Sequence, residues 1–455
     1  MNRPAEARRD AARGGDGGAA AAPRVHAAFA GCKVSQADTQ AVLATLARHG
    51  CRPVGDPAEA DVQVVLTCWV TAEAERSSRQ LARRLAGHGR PVVVAGCAAA
   101  LRPGQFADPG LTVVSAGDGR AAGVEAVALG VLHAAGTAVI AEPVGGGAVH
   151  HVARPVGTGD RTRFTLKIQD GCAGRCTYCA VRLARGLPRS LATVDALEQA
   201  RVALAGGCGE IVLSGIDVGA WRDPRSGDDL ATLVGRLVRL PGLARLRLSS
   251  IEPRHLGAAL VEELADPLVA RHLHVPLQSA DDGVLSAMGR PYTWDGYRAT
   301  VETARHRLPG LALSTDLIVG FPAEDEAAFE RSLAAVASPG LFSRVHVFSF
   351  SRRAGTAAAA LHPLPDDTVK RRARRAREAA ALAQRAAAAD CLGAAATVLV
   401  EEEREGLLRG YSSTYVRYYL TGEAARGRLV EAVGEGLYRD GVKGRIVDGV
   451  KGHMA

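Results

Sequence analysis

The sequence predicts an α/β protein in three parts: an amino-terminal parallel α/β domain, a central partial (β/α)6 barrel and a small carboxyl-terminal β-barrel. Three observations predict it. From Arg24 to about Gly119, an apolar extended run that ends in a cysteine recurs three times, each time with a helix-like stretch after it. From Arg161 to about Leu361, six strand-like runs alternate with helical stretches, as parallel βα units do. From about Ala394, "ATVLVEEEREGLLRGYSSTYVRYYL" alternates like the strands of a small barrel.

Residues 1–23 are Ala, Gly, Arg and Asp without an apolar h-region, and a disordered tail is expected there in place of a secretion signal. Glu6, Asp10 and Asp16 speak against a transit peptide. In the first domain, 24–130, "VHAAFAGC" ends at Cys32, "DVQVVLTC" at Cys68 and "PVVVAGC" at Cys97. Ser35, with Asp38 three residues on, reads as a capping box opening a helix; Thr71 reads as the cap of "AEAERSSRQLARRLAG". Loops leaving the carboxyl ends of parallel strands converge on one edge, so these cysteines, 36 and 29 residues apart, are expected to meet as a three-thiol site.

Residues 131–160 read as a Gly-rich linker with room for one edge hairpin. The central domain, 161–390, runs through "FTLKIQ", "EIVLSGI", "RLRLSS", "HLHVPLQ", "LALSTDLIVG" and "RVHVFSF", with chemistry expected at the strand carboxyl ends. Its last helix carries "VKRRARRAR", either a solvated basic face or a set of phosphate contacts. Residues 391–455 form the third domain. The 455-residue chain has no apolar run of the roughly 18–20 residues that span a bilayer, so no membrane role is expected. A net charge of +8 and a pI near 9.2 suit a polyanionic partner, although general arginine enrichment gives the same figures. Nine cysteines without an export signal argue for reduced thiols, metal binding and a cytoplasmic setting.

The densest motif is "DGCAGRCTYCAVR", which sets Cys172, Cys176 and Cys179 at C-x3-C-x2-C just after the first strand of the six. A closed zinc site takes four ligands. Here the next cysteine, Cys208, lies 29 residues beyond Cys179. Three thiolates hold three irons of a [4Fe–4S] cube and leave the fourth open to a substrate or cofactor; a zinc knuckle borrowing a distant ligand is the alternative.

This spacing, with Tyr178 before the last cysteine, resembles the radical S-adenosylmethionine superfamily. In that family the open iron binds S-adenosylmethionine, and one electron cleaves it to a 5′-deoxyadenosyl radical. The similarity extends from about Arg24 to Thr356 and more weakly to the end. "LKIQDGCAGRCTYCAVRLARGLPRS", "EIVLSGIDVGAW", "RLRLSSIEP", "HLHVPLQSADDGVLSAMGRPYT", "STDLIVGFPAEDEAAF" and "HVFSFSRRAGT" resemble signatures of the methylthiotransferases. "GCKVSQADTQ", "TCWVTAEAERSSRQ" and "AGCAAA" resemble that family's amino-terminal domain.

The resemblance implies two [4Fe–4S] clusters and S-adenosylmethionine, the latter both methyl donor and radical precursor. Cys172, Cys176 and Cys179 would hold the radical cluster, with Tyr178 beside the adenine. The "GGCGE" segment ending at Glu210 would receive the methionyl amine. Ile318 to Gly320 would meet the adenine, Gln278 would lie between the clusters, and Cys32, Cys68 and Cys97 would hold an auxiliary cluster that carries or delivers sulfur. Ser35, Leu66, Ala323, Arg182 and Leu183 depart from the family pattern without removing a cluster ligand; Ser35 and Leu66 bear on hydrogen bonds around the auxiliary site. Cys51, Cys208 and Cys391 fall outside the motifs and read as buried structural thiols.

"GCKV", "LKIQDGC" and "RLRLSSIEP" resemble the branch that methylthiolates C2 of N6-threonylcarbamoyladenosine beside the tRNA anticodon. The tail resembles a TRAM domain, an RNA-binding barrel, with a short, glycine-rich second half that implies a reduced grip. The implied partners are a tRNA anticodon stem-loop, an electron donor such as flavodoxin or ferredoxin, and a sulfur donor that the sequence leaves open. Methylthiolation of isopentenyladenosine or of a ribosomal protein side chain, and a non-catalytic iron–sulfur RNA-binding protein, are the competing readings.

Overall fold

The structure, a computed structural model, describes residues 22–116, 120–136 and 162–447. The expected disordered tail, apart from its last two residues, and most of the linker with its edge hairpin lie outside the described residues.

The amino-terminal domain is a five-stranded, all-parallel sheet. Its strands are β1 (Arg24–Phe29), β2 (Arg52–Pro53), β3 (Val62–Thr67), β4 (Val92–Gly96) and β5 (Leu111–Val113), in the order β2-β1-β3-β4-β5. Every residue of β3 and β4 is buried, as expected of central strands covered on both faces. Helices α1 (Lys33–Arg48) and α4 (Val124–Ala134) cover one face through Val42, Leu46, Val127 and Val131. Helix α2 (Ala72–Ala86) covers the other through Ala82 and Leu85, and the short α3 (Cys97–Leu101) follows β4 directly. A boundary at residue 130 therefore cuts α4, whose Val131 and Leu132 belong to this core. Thr71 caps α2 as expected, accepting from the Ala74 amide. The capping box at Ser35 does not form: α1 begins at Lys33 with Cys32 as its cap, and Asp38 turns to cations of the next domain.

Six parallel strands follow: β6 (Arg163–Lys167), β7 (Glu210–Ser214), β8 (Arg245–Leu248), β9 (His272–His274), β10 (Ala312–Val319) and β11 (Arg344–Ser349). They form two triplets, β8-β7-β6 and β9-β10-β11, joined by parallel bridges such as Ser250 to His274. The result is an open partial barrel. Alternate residues sort by face: Leu166, Ile211, Leu213, Leu246 and Leu313 pack outward into the main core. Between the strands run α5 (Val181–Arg185), α6 (Thr193–Ala205), α7 (Leu230–Leu237), α8 (Ala258–Glu263), α9 (Asp282–Ala287), α10 (Trp294–Arg307) and α11 (Glu326–Ala337).

Helix α12 (Asp366–Ala389) packs Ala373, Ala376 and Ala380 onto this core and carries the basic segment. Arg372 is 4% exposed and donates to the Glu324 carbonyl and to the carboxylates of Glu324 and Glu326; Arg375 pairs with Glu330. These two arginines clamp α12 to α11 and are not free for phosphate. Beyond α12, strands β12 (Ala395–Arg404), β13 (Leu407–Ser412), β14 (Arg417–Thr421), β15 (Leu429–Tyr438) and β16 (Gly441–Ile446) form a closed barrel, β12-β13-β14-β16-β15. The glycine-rich half supplies the last two strands of this barrel, β15 and β16. Its glycines serve close approach: a Cβ at Gly444 would stand 2.2 Å from the Val433 carbonyl oxygen.

Candidate functional site

The two thiol trios arise differently. Cys172, Cys176 and Cys179 sit on one loop just beyond β6. The loop is tied at both ends, with the Cys172 amide donating to the Gly186 carbonyl and Thr177 N–H to Met288 O. Gly174 N–H donates to Cys172 Sγ at 3.1 Å, and Arg290 donates to Cys176 Sγ at 3.2 Å. Arg290 is itself braced by Glu252 of the "SSIEP" motif. A Cβ at Gly174 would stand 3.1 Å from Cys172 Sγ and 3.9 Å from Cys176 Sγ. Glycine thus leaves open the space that both sulfurs border. Burial pushes the Cys179 thiol up to about 12 and raises Cys172 also.

Cys32, Cys68 and Cys97 follow β1, β3 and β4, three neighbouring strands, and their thiols interact electrostatically. Cys68 and Cys97 are buried and Cys32 is exposed. Burial pushes Cys68 up to about 12; it raises Cys97 too, while Arg185 pulls that thiol back by charge and a side-chain hydrogen bond. Ser35 Oγ lies 4.0 Å from Cys32 Sγ.

Arg185 belongs to α5 of the central domain, so it joins the two trios. It donates to Asp170, two residues before Cys172, at 3.1 Å and to Asp38 of α1 at 3.0 Å. Lys167 closes the ring, donating to Asp38 at 2.5 Å and Asp170 at 2.7 Å. Burial opposes ionisation of Asp170, but Lys167 and Arg185 hold its carboxyl down to about 2. Gln169 ties the same corner to β7, accepting from the Ile216 and Asp217 amides at 3.0 and 2.8 Å.

Both trios offer cluster ligands: three thiolate formers each, bordered by N–H donors that suit sulfur carrying negative charge. Among the described residues, no group of three His, Cys, Asp or Glu side chains is arranged to hold a single metal ion. Cys51 is buried in the amino-terminal core; Cys208 and Cys391 donate to backbone carbonyls.

Tyr178 and Ile318 pack in one apolar cluster with Phe321 and Phe350, an apolar wall suited to a flat ring. Gly320, at φ +77, lies against Val369 of α12 and donates to Glu324. Gln278 holds a left-handed φ of 72, with its amide on the Asp316 carbonyl and its carbonyl receiving Ile318 N–H. A non-glycine residue pinned in that region costs about 1–3 kcal/mol.

Glu210 does not join the site. It begins β7, so it lies at the opposite strand end from the cysteines, and its fully buried carboxylate is taken by Arg163, Arg245 and Arg247. Although burial opposes it, those cations hold Glu210 down to about 2. The segment that does reach the cysteine loop is Ser214 to Asp217, at the other end of the same strand; Asp217 acts electrostatically on Cys172. Strand direction alone could have found it. Arg185 and Arg290 were also missed as sulfur partners, and Glu252 as the brace of Arg290, since their partners are distant in sequence.

Residues 166–336 match the Radical SAM superfamily, and residues 24–114 match Uncharacterized protein family UPF0004. The chain is 33% identical to a threonylcarbamoyladenosine tRNA methylthiotransferase of Bacillus subtilis, over 88% of this chain and 91% of that one. It is 31% identical to its counterpart in Thermotoga maritima, over 93% and 97%. A ribosomal protein uS12 methylthiotransferase of Heliobacterium modesticaldum is 33% identical over 86% of each. Among solved structures, a radical S-adenosylmethionine methyltransferase of Kitasatospora setae, 14% identical, shares the fold with a TM-score of 0.55, covering 85% of this chain and 80% of its own.

Proposed function

The chain belongs to the methylthiotransferases of the radical S-adenosylmethionine superfamily, and from that premise we propose that it methylthiolates C2 of N6-threonylcarbamoyladenosine beside the anticodon of tRNA. The family's cofactors are S-adenosylmethionine and a [4Fe–4S] cluster; a second cluster on Cys32, Cys68 and Cys97 is part of the proposal. The observation that carries it is the ring Lys167–Asp38–Arg185–Asp170, which fixes the second trio against the first. One substrate carbon can then serve both.

When bound, the cofactors supply the hydrogen-abstracting radical, the sulfur and the methyl group. The chain's own residues position and shield. Cys172, Cys176 and Cys179 would hold the first cluster, with Arg290 and the Gly174 amide steadying its sulfurs. The wall of Tyr178 and Ile318 would take the adenine of S-adenosylmethionine and keep water from the radical. Gln278, on its strained backbone, would face the space between the clusters. Arg185 would balance the charge of the second cluster. The closed carboxyl-terminal barrel supports RNA as partner, and a low-potential donor such as flavodoxin or ferredoxin would reduce the cluster in the cytoplasm.

No helix among the described residues is long and apolar enough to cross a membrane. The test is nucleoside mass spectrometry of tRNA from a strain lacking this gene, with and without complementation. Loss and return of 2-methylthio-N6-threonylcarbamoyladenosine supports the reading. A change confined to methylthiolated isopentenyladenosine, or to ribosomal protein uS12, would replace it.

A further inference from the structure

The inner face of the second strand triplet carries polar groups that cluster ligation does not use. On β10 and β11, Leu317, Val345 and Val347 turn outward onto the main core, so Asp316, Ile318, His346 and Phe348 turn into the barrel. Asp316 pairs in register with His346, and Ile318 with Phe348. The Asp316 side chain is 24% exposed and Phe348 41%, and Ile318 and His346 are partly exposed, so this wall borders open space.

The wall also stands between the two trios. Ile318 packs in one cluster with Tyr178 of the cysteine loop. Three residues past Phe348, Ser351 accepts from the amide of Ala72, which follows Cys68 by four. Lys33, the residue after Cys32, acts electrostatically on His346. A substrate that reaches both trios lies against these side chains.

Their polar atoms are held in place and partly unused. His274 Nε2 stands 3.2 Å from Asp316 Oδ2, and its Nδ1 meets Ser314 Oγ at 2.9 Å. Ser314 Oγ also meets Nε2 of the buried His272 at 2.9 Å. Asp316 is thus fixed from one side, and its Oδ1 makes no hydrogen bond among the described residues. The His346 ring lies 5.7 Å from that of His274, and its nitrogens make no hydrogen bond among the described residues. Burial lowers His346 from its ordinary value, against the pull of Asp316, so near pH 7 the ring is neutral. It then offers one N–H donor beside an acceptor carboxylate.

We propose that this wall reads the substituent on N6 of the substrate adenine: His346 donates to its carbamoyl oxygen, and Asp316 accepts from its distal N–H. The assignment rests on the tRNA reading above and names the residues by which that substrate is chosen over an alkylated one. An isopentenyl group has neither the oxygen nor the second N–H, and covers a donor and an acceptor without pairing them. A site built to hydrogen-bond its substrate rejects the analogue that lacks the partner atoms.

The test uses the full-length, reconstituted enzyme and anticodon stem-loops carrying N6-threonylcarbamoyladenosine or N6-isopentenyladenosine. Wild type should bind the first roughly 10- to 100-fold more tightly, the range for leaving a covered polar group unpaired. His346→Phe keeps a ring but loses the N–H; it should weaken the carbamoyl stem-loop alone and lower its kcat/KM to match. Asp316→Ala should act in the same direction, and His346→Gln, which keeps a donor, should retain most of the preference. Iron content and 5′-deoxyadenosine formation without RNA should match wild type in all three. A wild type that methylthiolates the carbamoyl stem-loop but binds both alike overturns the assignment alone. So does a His346→Phe or Asp316→Ala enzyme that keeps the preference, weakens both stem-loops equally, or loses iron or RNA-free cleavage, and so does a His346→Gln enzyme as impaired as His346→Phe. Wild type that methylthiolates only the isopentenyl stem-loop, or neither, overturns the function proposed above and this assignment with it.

Discussion

The loop trio and the strand trio perform the same task of presenting three sulfurs, yet one is local and the other is assembled. Cys172, Cys176 and Cys179 span eight residues and draw their donors from Gly174, inside the loop, and Arg290. Cys32, Cys68 and Cys97 span 66 residues and meet only because β1, β3 and β4 are neighbours in one sheet. A local site can be lost without unfolding its domain. An assembled site is only as good as the sheet beneath it, and here it also depends on Arg185 from the next domain.

The largest effects should come from removing each trio. Replacing Cys172, Cys176 and Cys179 with Ala should halve an iron content of roughly eight per chain and abolish 5′-deoxyadenosine formation. Replacing Cys32, Cys68 and Cys97 should leave reductive cleavage in place and eliminate methylthiolated product. Full product from the second variant would mean that the strand trio is structural only.

The dependence of the strand trio on Arg185 is the next test. Arg185→Ala leaves Asp38 to Lys167 alone and Asp170 to Lys167 and the more distant Arg189, and breaking such a buried pair costs about 3–5 kcal/mol. Denaturant unfolding should show that loss, and iron should fall more at the strand trio than at the loop trio. Equal loss at both would show that the ring supports the whole protein and not one site.

Acid should undo the same ring. Asp170 is held down to about 2 against an unfolded value of ~3.9. Its contribution is therefore complete above the unfolded value and declines as pH falls toward about 2. Trp69, packed under Arg353 at 5.0 Å beside the Arg353–Glu75 pair across the same domain boundary, should report the separation by fluorescence as pH falls from 5 to about 2. A flat signal over that range would mean that apolar contacts hold the domains without the ring.

A smaller version of the contrast lies within α12. Neutralising the exposed Lys370, Arg371, Arg374 and Arg377 should reduce the salt dependence of tRNA binding by somewhat under one log unit per lost phosphate contact, with Tm little changed. Arg372→Ala should do the reverse, lowering Tm by its loss from Glu324 and Glu326 while the salt slope stays. An unchanged slope in the first variant would make the exposed face a solvated one.

What the sequence revealed follows the same division. The loop trio was legible because its spacing is its geometry. The strand trio was legible because apolar runs ending in cysteine imply parallel strands whose ends meet. Glu210 was misread because the motif match took no account of strand direction: the residue that begins "EIVLS" is at the wrong end for chemistry. Arg372 was misread because a run of basic residues says nothing of which ones turn inward on a helix. The glycine-rich tail looked depleted because glycine is absent side chain in a sequence but close approach in a barrel. Arg185 and Arg290 could not be seen at all, since each acts on partners far along the chain.

Asp38 has a consequence in time. Its cations, Lys167 and Arg185, lie 129 and 147 residues downstream. At 5–20 residues per second, the ribosome delivers them roughly 6–30 s after Asp38 has been made. During that interval the first domain can close its sheet, but Cys97 lacks its guanidinium and Asp38 keeps its water. The trio that is synthesised first thus waits on the next domain for its partners, and iron offered to the nascent chain before then would meet an incomplete second site.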